Sequence, residues 1–186
     1  KSNKMFPKLN ETKLKTPESK SDYLGAGAHT VEIRKFKTSD EVPGYQGTPY
    51  TEFMVGNDEG IAFLKFSGVD SHTSEAAAKV RTEIFKSFLI SAGATTFQDP
   101  HMACNSIINK KIEVCLAKRE YWTTDKDTNN PEIKTRVEYK FANPFGSKIT
   151  FKDSYNKPMS AEDRQKYEQA VSLSTSGSND NVEVPF

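Results

Sequence analysis

The sequence contains little cysteine and histidine and no long apolar run. Its 186 residues include two cysteines, which lie eleven positions apart, and three scattered histidines. Two cysteines at this spacing fit neither a disulfide-linked scaffold nor a CxxC redox or zinc motif, and reduced thiols are the simpler interpretation. No stretch approaches the roughly 18 uncharged apolar residues that a transmembrane helix requires. The basic N-terminus is not followed by the apolar segment of a signal peptide. We therefore expect a cytoplasmic protein that does not contact membranes.

The sequence also lacks the motifs of common catalytic and cofactor-binding sites. GxxxxGK[ST], GxGxxG after a strand and GxSxG are all missing, which removes the usual phosphate loop, dinucleotide turn and nucleophile elbow. His101 and Cys104 have a ligand-like spacing, but too few further zinc ligands lie nearby. Asp125, Asp127 and Asp153 could hold Mg²⁺ in a metal-dependent nuclease, although a solvated turn is the simpler interpretation. We expect no enzyme activity, no metal and no cofactor.

Charge of one sign is not in excess over the whole chain. The 26 Lys and Arg nearly balance the 25 Asp and Glu, for a formal net charge of +1. The balance differs between regions: residues 1–20 have six lysines against two acids, and residues 101–160 have eleven bases against seven acids. Residues 41–60 have four acids and no Lys or Arg, and the last 26 residues have five acids against two bases. Attraction to a polyanion must therefore be local.

The apolar fraction is low for a chain that folds along its whole length. Hydrophobic residues make up 35%, which the ten glycines raise to about 40%, below the roughly 45–50% of globular domains. Residues 1–24 are predicted to form a flexible basic arm, and residues 25–171 an ordered domain. Residues 172–186 are predicted to be a flexible tail, because a Ser, Gly and Asn run precedes its apolar Pro-Phe end.

Periodicity and turn residues divide the ordered part into strands and helices. Period-two alternation predicts five strands, at residues 29–38, 50–55, 61–66, 111–123 and 133–141. The last two form the clearest hairpin, and a further short strand is expected at 148–152. Helical spacing and capping residues predict helices at 74–92, 99–108 and 160–171.

The order of these elements favours one fold class. Three strands, a helical insertion and two strands match the OB-fold, a five-stranded Greek-key barrel with its helix between strands three and four. A generic α+β sandwich shares much of this pattern. We predict a mostly β, α+β protein with an OB-like barrel and flexible termini.

The strongest functional signal lies in the hairpin. Lys118-Arg119-Glu120-Tyr121-Trp122 combines two bases with two large rings, including the single Trp. Single-stranded nucleic acid binding requires a cationic track for phosphates and exposed rings for base stacking. An alternative is that the rings belong to the core and the bases between them to a solvated face. The residues predicted to bind DNA are Lys118, Arg119, Tyr121, Trp122, Lys126, Lys134, Arg136, Tyr139 and Lys140, with Arg34 and Phe36 on the first strand. Lys35, Lys37 and the Phe63 to Phe66 stretch around Lys65 could extend this surface.

The tail carries a family resemblance. Asp180-Asn181-Val182-Glu183-Val184-Pro185-Phe186 resembles the C-terminal tip of bacterial single-stranded DNA-binding proteins, in which a flexible linker and acidic residues precede Pro-Phe. The resemblance implies that Glu183, Val184, Pro185 and Phe186 bind replication and recombination proteins. It also implies that the Phe ring enters an apolar pocket and that its carboxylate meets a basic residue.

The body of the chain resembles small phage proteins associated with OB-fold binding of single-stranded DNA. The likeness rests on Gly27-Ala28-His29-Thr30-Val31-Glu32-Ile33, IFKSFLISAG at 84–93, Asn109-Lys110-Lys111-Ile112-Glu113-Val114 and Arg119-Glu120-Tyr121-Trp122. It covers about two thirds of the chain. It implies a non-sequence-specific single-stranded DNA-binding protein of phage replication or recombination, located in the host cytoplasm. The alternative is a protein-interaction or virion-associated structural module. Homo-oligomerisation and DNA versus RNA preference stay open.

Overall fold

A computed structural model describes residues 22–176 of the chain. Within this range an antiparallel sheet of five strands is combined with three α-helices, and the helical insertion lies between the third and fourth strands, as predicted. The elements are β1 (Gly27–Thr38), β2 (Tyr50–Gly56), β3 (Ile61–Ser67), α1 (Glu75–Ser91), α2 (Pro100–Ser106), β4 (Lys111–Thr124), β5 (Pro131–Pro144) and α3 (Ala161–Ser176).

The sheet has the strand order β3-β2-β1-β4-β5. The central strand, β1, pairs through residues 32–38 with β2 and through residues 27–32 with β4. A bulge lies within the stretch that pairs with β2, where the register shifts between Ile33 and Lys35, and a bulge of this kind bends the strand and increases its twist. In the described part of the chain, the two outer strands β3 and β5 share no hydrogen-bonded ladder, so the sheet stays open between them.

Aromatic side chains fill the space between the outer strands and α1. Phe66 of β3 has its ring centroid 4.8 Å from that of Phe88 on α1 and 4.9 Å from that of Tyr139 on β5. Phe53 of β2 lies 5.0 Å from Phe88, and Phe85 lies 5.4 Å from Phe66. We call these five residues the aromatic cluster. It joins β2, β3, β5 and α1 by side-chain packing.

Capping residues fix both helices of the insertion, close to their predicted bounds. Ser74 Oγ accepts a hydrogen bond from the Ala77 N–H at the start of α1. Gly93 follows α1 with φ +83°, a conformation that glycine adopts without steric strain. At α2, the Asp99 carboxylate accepts from two backbone N–H groups, and Pro100 occupies the first turn.

The β4–β5 hairpin projects beyond β1. Both strands have fourteen residues, but only the first six of β4 pair with β1. Part of the edge of β4 that β1 leaves open is covered by residues 156–159: the Glu120 N–H donates to the Lys157 carbonyl, and the Lys157 N–H donates to the Lys118 carbonyl. Met159 at the end of this segment is buried.

The predicted short strand at 148–152 is wrong. These residues are irregular and lead into a 3₁₀ turn, Asp153–Tyr155. Half-buried Ile149 and Phe151 alternate with exposed neighbours, which produced the strand-like pattern. The Tyr155 ring lies 5.9 Å from Phe151 and 5.7 Å from Phe141, so the alternation reflects side-chain packing without a ladder.

Two boundaries also differ from expectation. Residues 22–24, predicted to belong to the arm, pair with the start of β3: the Leu24 N–H donates to the Ile61 carbonyl, and the Ile61 N–H to the Asp22 carbonyl. Helix α3 ends at Ser176, five residues beyond its predicted end. The rest of the predicted arm and tail lies outside the described residues. None of the three helices within 22–176 is both long enough and apolar enough to cross a membrane.

Two phenylalanines of β3 allow a matched test of the aromatic cluster. Phe66 is 5% exposed within the cluster, whereas Phe63 is 43% exposed on the opposite face of the strand. Phe66→Ala should lower the free energy of unfolding by about 3–5 kcal/mol, since it removes a buried ring and leaves a cavity. Phe63→Ala should cost less than about 1 kcal/mol. Urea unfolding followed by circular dichroism measures both, and equal losses would contradict the assigned core.

Candidate nucleic-acid interface

The hairpin register brings four of the predicted residues together. Arg119 lies directly opposite Arg136, and Tyr121 lies directly opposite Lys134. Directly opposite residues of an antiparallel pair share a face, as do residues two apart on one strand. We call these four residues the hairpin face. The Arg136 guanidinium carbon lies 5.4 Å from the Tyr121 ring centroid, within the range of a cation–π contact.

Two carboxylates accompany the cations of the hairpin face. Glu138 has one oxygen 2.6 Å from Arg136 Nη2 and the other 3.8 Å from Arg119 Nη1. Glu132 Oε1 lies 2.5 Å from Lys134 Nζ, and this hydrogen bond raises the pKa of Lys134. Three cations and two carboxylates leave a formal charge of +1 on this face.

A groove separates the two outer strands. It has a volume of about 480 Å³ and is lined by Phe63, Lys65 and Ser67 of β3 and by Arg136, Val137, Glu138 and Tyr139 of β5. We call it the β3–β5 groove. Arg136 belongs to both the hairpin face and the groove lining, and Glu138, which contacts Arg136, also lines the groove. The two surfaces are therefore continuous. Phe63 and Val137 also line an adjoining depression of about 280 Å³.

The outer face of β1 and β2 extends this surface on the other side of Phe63. A third depression, of about 180 Å³, is lined by Phe63 together with Lys35, Lys37 and Met54, among others. On the same face, Lys65 Nζ lies 4.0 Å from the Tyr50 ring centroid. Sequence reasoning named Lys35, Lys37, Phe63 and Lys65 but missed Tyr50 and Met54. The alternation of β2 carried the signal, because Phe53 and Val55 point inward and residues 50, 52 and 54 must then point outward.

Trp122 and Lys118 lie on the opposite face of the hairpin. They lie directly opposite Ile133 and Val137 of β5, and these two residues alternate along β5 with Lys134 and Arg136 of the hairpin face. The Trp122 ring is 6.3 Å from the Tyr167 ring of α3, in an edge-on arrangement. The single Trp, predicted to stack on bases, is therefore packed against the last helix and is separated from Tyr121 by the thickness of the sheet.

Two other predicted aromatic residues belong to the core. Tyr139 is part of the aromatic cluster, and burial raises the pKa of its hydroxyl. Phe36 is half-buried, with its ring 5.7 Å from Phe53 and 5.2 Å from His101. Both rings pack against core rings, so we do not assign them to base stacking, although Tyr139 lines the β3–β5 groove and Phe36 lines the depression beside Phe63.

The remaining predicted cations are dispersed. Arg34 lies at the β1 bulge, where its Nη2 is 3.4 Å from the Asn57 carbonyl oxygen, about 25–30 Å from Arg119 along β4. Lys126 lies in the turn after β4. Lys140 is the extra residue of a bulge in β5 and lines a depression against α1 with Val80 and Ile84. The predicted partner-binding tip, Glu183, Val184, Pro185 and Phe186, lies outside the described residues.

Asp125 in the turn after β4 and Cys104 on α2, both considered above as metal ligands, take part in the local structure. Asp125 accepts hydrogen bonds from the Thr128 and Asp127 N–H groups, and these bonds lower the pKa of Asp125. Cys104 is buried, which raises the pKa of its thiol to about 11. Between residues 22 and 176, no group of three or more His, Cys, Asp or Glu side chains is arranged to hold a metal ion.

No protein-family model matches the chain, and no curated protein matches it either. The case for a function therefore rests on the residues and on their arrangement.

The core position of Tyr139 predicts a pH dependence of stability. Its pKa is raised in the folded state, so the unfolded state releases the phenolic proton first, and stability should be lost as the pH rises above about 10. Tyr139→Phe should reduce this alkaline loss. Tyr23→Phe, at a position that is 72% exposed, should not change it. Urea unfolding between pH 8 and pH 11 makes the comparison, and an unchanged slope for Tyr139→Phe would contradict the assignment.

Proposed function

We propose that this protein binds single-stranded DNA without sequence specificity, along the hairpin face and the β3–β5 groove. One observation carries the proposal: Arg119, Lys134, Arg136 and Tyr121 share a face and adjoin a groove that contains Lys65 and an exposed Phe63. A polyanion with unstacked bases requires this combination of cations and rings.

We further propose that the sheet is an OB-type barrel that is open between β3 and β5. An OB barrel opened at that position has the strand order β3-β2-β1-β4-β5, with its helix between β3 and β4. OB-folds bind oligonucleotides on the face of strands two and three and on the loops that follow strands one and four. In this chain, the connection after strand four is replaced by the projecting hairpin, which supplies most of the cations.

The proposed interface divides its chemistry between phosphates and bases. Arg119, Lys134, Arg136 and Lys65 neutralise phosphates, and Tyr121 and Phe63 stack on bases. Every nucleotide offers a phosphate and a flat ring, so such contacts tolerate any sequence. Each neutralised phosphate releases counterions, which makes affinity fall with salt by about 0.7 in log–log slope per single-strand contact.

The biological role follows from the resemblance given above. The likeness to small phage proteins supports a role in phage DNA replication or recombination. Recruitment of replication proteins by the tip stays a prediction. The alternative, a protein-interaction or virion-associated module, predicts no affinity for oligo-dT.

Binding to a labelled oligo-dT, measured by fluorescence anisotropy at several salt concentrations, tests the proposal. Tyr121→Ala should weaken binding by about 5- to 150-fold, the cost of about 1–3 kcal/mol for one stacked base. Trp122→Phe, a change on the opposite face, should leave affinity within about twofold. Arg119→Ala should reduce the salt slope by about 0.7, whereas its neighbour Lys118→Ala should change it much less.

Two outcomes would count against this reading. Absence of oligo-dT binding at low salt would reject the proposed function and favour the interaction module. Binding that depends on Trp122 and Lys118, and not on Tyr121 and Arg119, would move the interface to the opposite face of the hairpin. Competition by oligo-rU in the same assay compares RNA with DNA.

A further inference from the structure

Glu138 holds an unusual position among the cations of the hairpin face. Its two carboxylate oxygens contact two different arginines, with 2.6 Å to Arg136 Nη2 and 3.8 Å to Arg119 Nη1. These arginines are direct cross-strand neighbours, and like charges in that relation destabilise a hairpin. The carboxylate lies where it offsets their repulsion. It also lies where a phosphate bridging the two guanidiniums would have to bind.

The three side chains are open to solvent. The exposed fractions are 50% for Arg119, 53% for Arg136 and 34% for Glu138. Exposed ion pairs are weak, typically below about 1 kcal/mol, and exchange readily. A phosphate can therefore reach the two guanidiniums and replace the carboxylate, and the pair of arginines stays neutralised throughout the exchange.

We propose that Glu138 acts as an internal competitor of the DNA phosphate and thereby sets the affinity and salt dependence of the site. This inference rests on the proposed function. In the free protein Glu138 occupies the arginine pair. When the strand binds, one phosphate takes its place, and the carboxylate turns toward the β3–β5 groove, whose wall it already forms.

The same competition does not extend to Lys65, on the β3 side of the groove. Among the described residues, Lys65 has no carboxylate within 4.0 Å, and its ammonium group lies over the Tyr50 ring. Glu132 contacts one lysine and does not bridge two opposed cations. Of the two glutamates that contact the hairpin face, Glu138 is therefore the one whose removal should increase phosphate binding more.

Glu138→Gln tests the inference, because it removes the charge and keeps the shape. Oligo-dT binding should tighten by about three- to tenfold, with a salt slope steeper by up to about 0.7. The matched control is Glu162→Gln on α3, which also removes one negative charge and breaks an ion pair, that with Lys166 at 2.6 Å. The control should stay within about twofold of the wild type. In the Arg119→Ala/Glu138→Gln double variant most of the gain should disappear, since the competition acts through the arginine pair.

Each outcome has a separate meaning. If the wild type, Glu138→Gln and Glu162→Gln all bind oligo-dT with the same affinity, Glu138 is not a competitor and the proposed function still stands. A gain that persists in the double variant would assign the effect to general charge and also reject the competitor. Failure of both wild type and Glu138→Gln to bind would reject the proposed function and the inference together. Thermal melts of each variant show that the compared proteins are folded.

Discussion

The packing of the aromatic cluster is the interaction on which the rest of the structure depends. The outer strands β3 and β5 share no ladder in the described part of the chain, so backbone hydrogen bonds do not hold them together. Their proximity comes from Phe66 and Tyr139, which contact each other and Phe88 of α1. Since the closure uses side chains on the inner face only, the space above them remains open. The β3–β5 groove is therefore a direct consequence of how the core is closed.

The second constraint is the unequal length of neighbouring strands. β4 and β5 continue for about 25 Å beyond the last pair that β4 makes with β1. A free hairpin of this length exposes both of its faces and the outer edges of both strands. Residues 156–159 cover part of the β4 edge, and α3 packs against the Trp122 face. The opposite face, which α3 does not contact through Trp122, carries Arg119, Tyr121, Lys134 and Arg136.

Much of the fold could be predicted from the sequence because its signals are local. Alternation located all five strands, and the caps at Ser74 and Asp99 located the start of two helices. The candidate site was harder to predict. Alternation shows that Tyr121 and Trp122 point to opposite faces of the hairpin, but it does not show which of the two faces α3 contacts. Tyr139 and Lys140 show the same limit, because a bulge at Lys140 interrupts the alternation. Arg34 was grouped with the hairpin cations because the sequence does not show that β1 pairs only with the first part of β4, far from Arg119.

The cations of the candidate surface have partners within the protein. Lys37, Lys134 and Arg136 on the candidate surface each contact a glutamate, and Lys65 contacts a ring instead. Most cations of the candidate surface are thus already neutralised by a neighbouring carboxylate. Binding a polyanion to such a surface exchanges internal ion pairs for phosphate contacts, so part of the electrostatic gain is offset by pairs that break. A surface of this kind binds less tightly than one of unpaired lysines but releases its ligand more easily, and stacking on Tyr121 and Phe63 must then supply a larger share of the affinity.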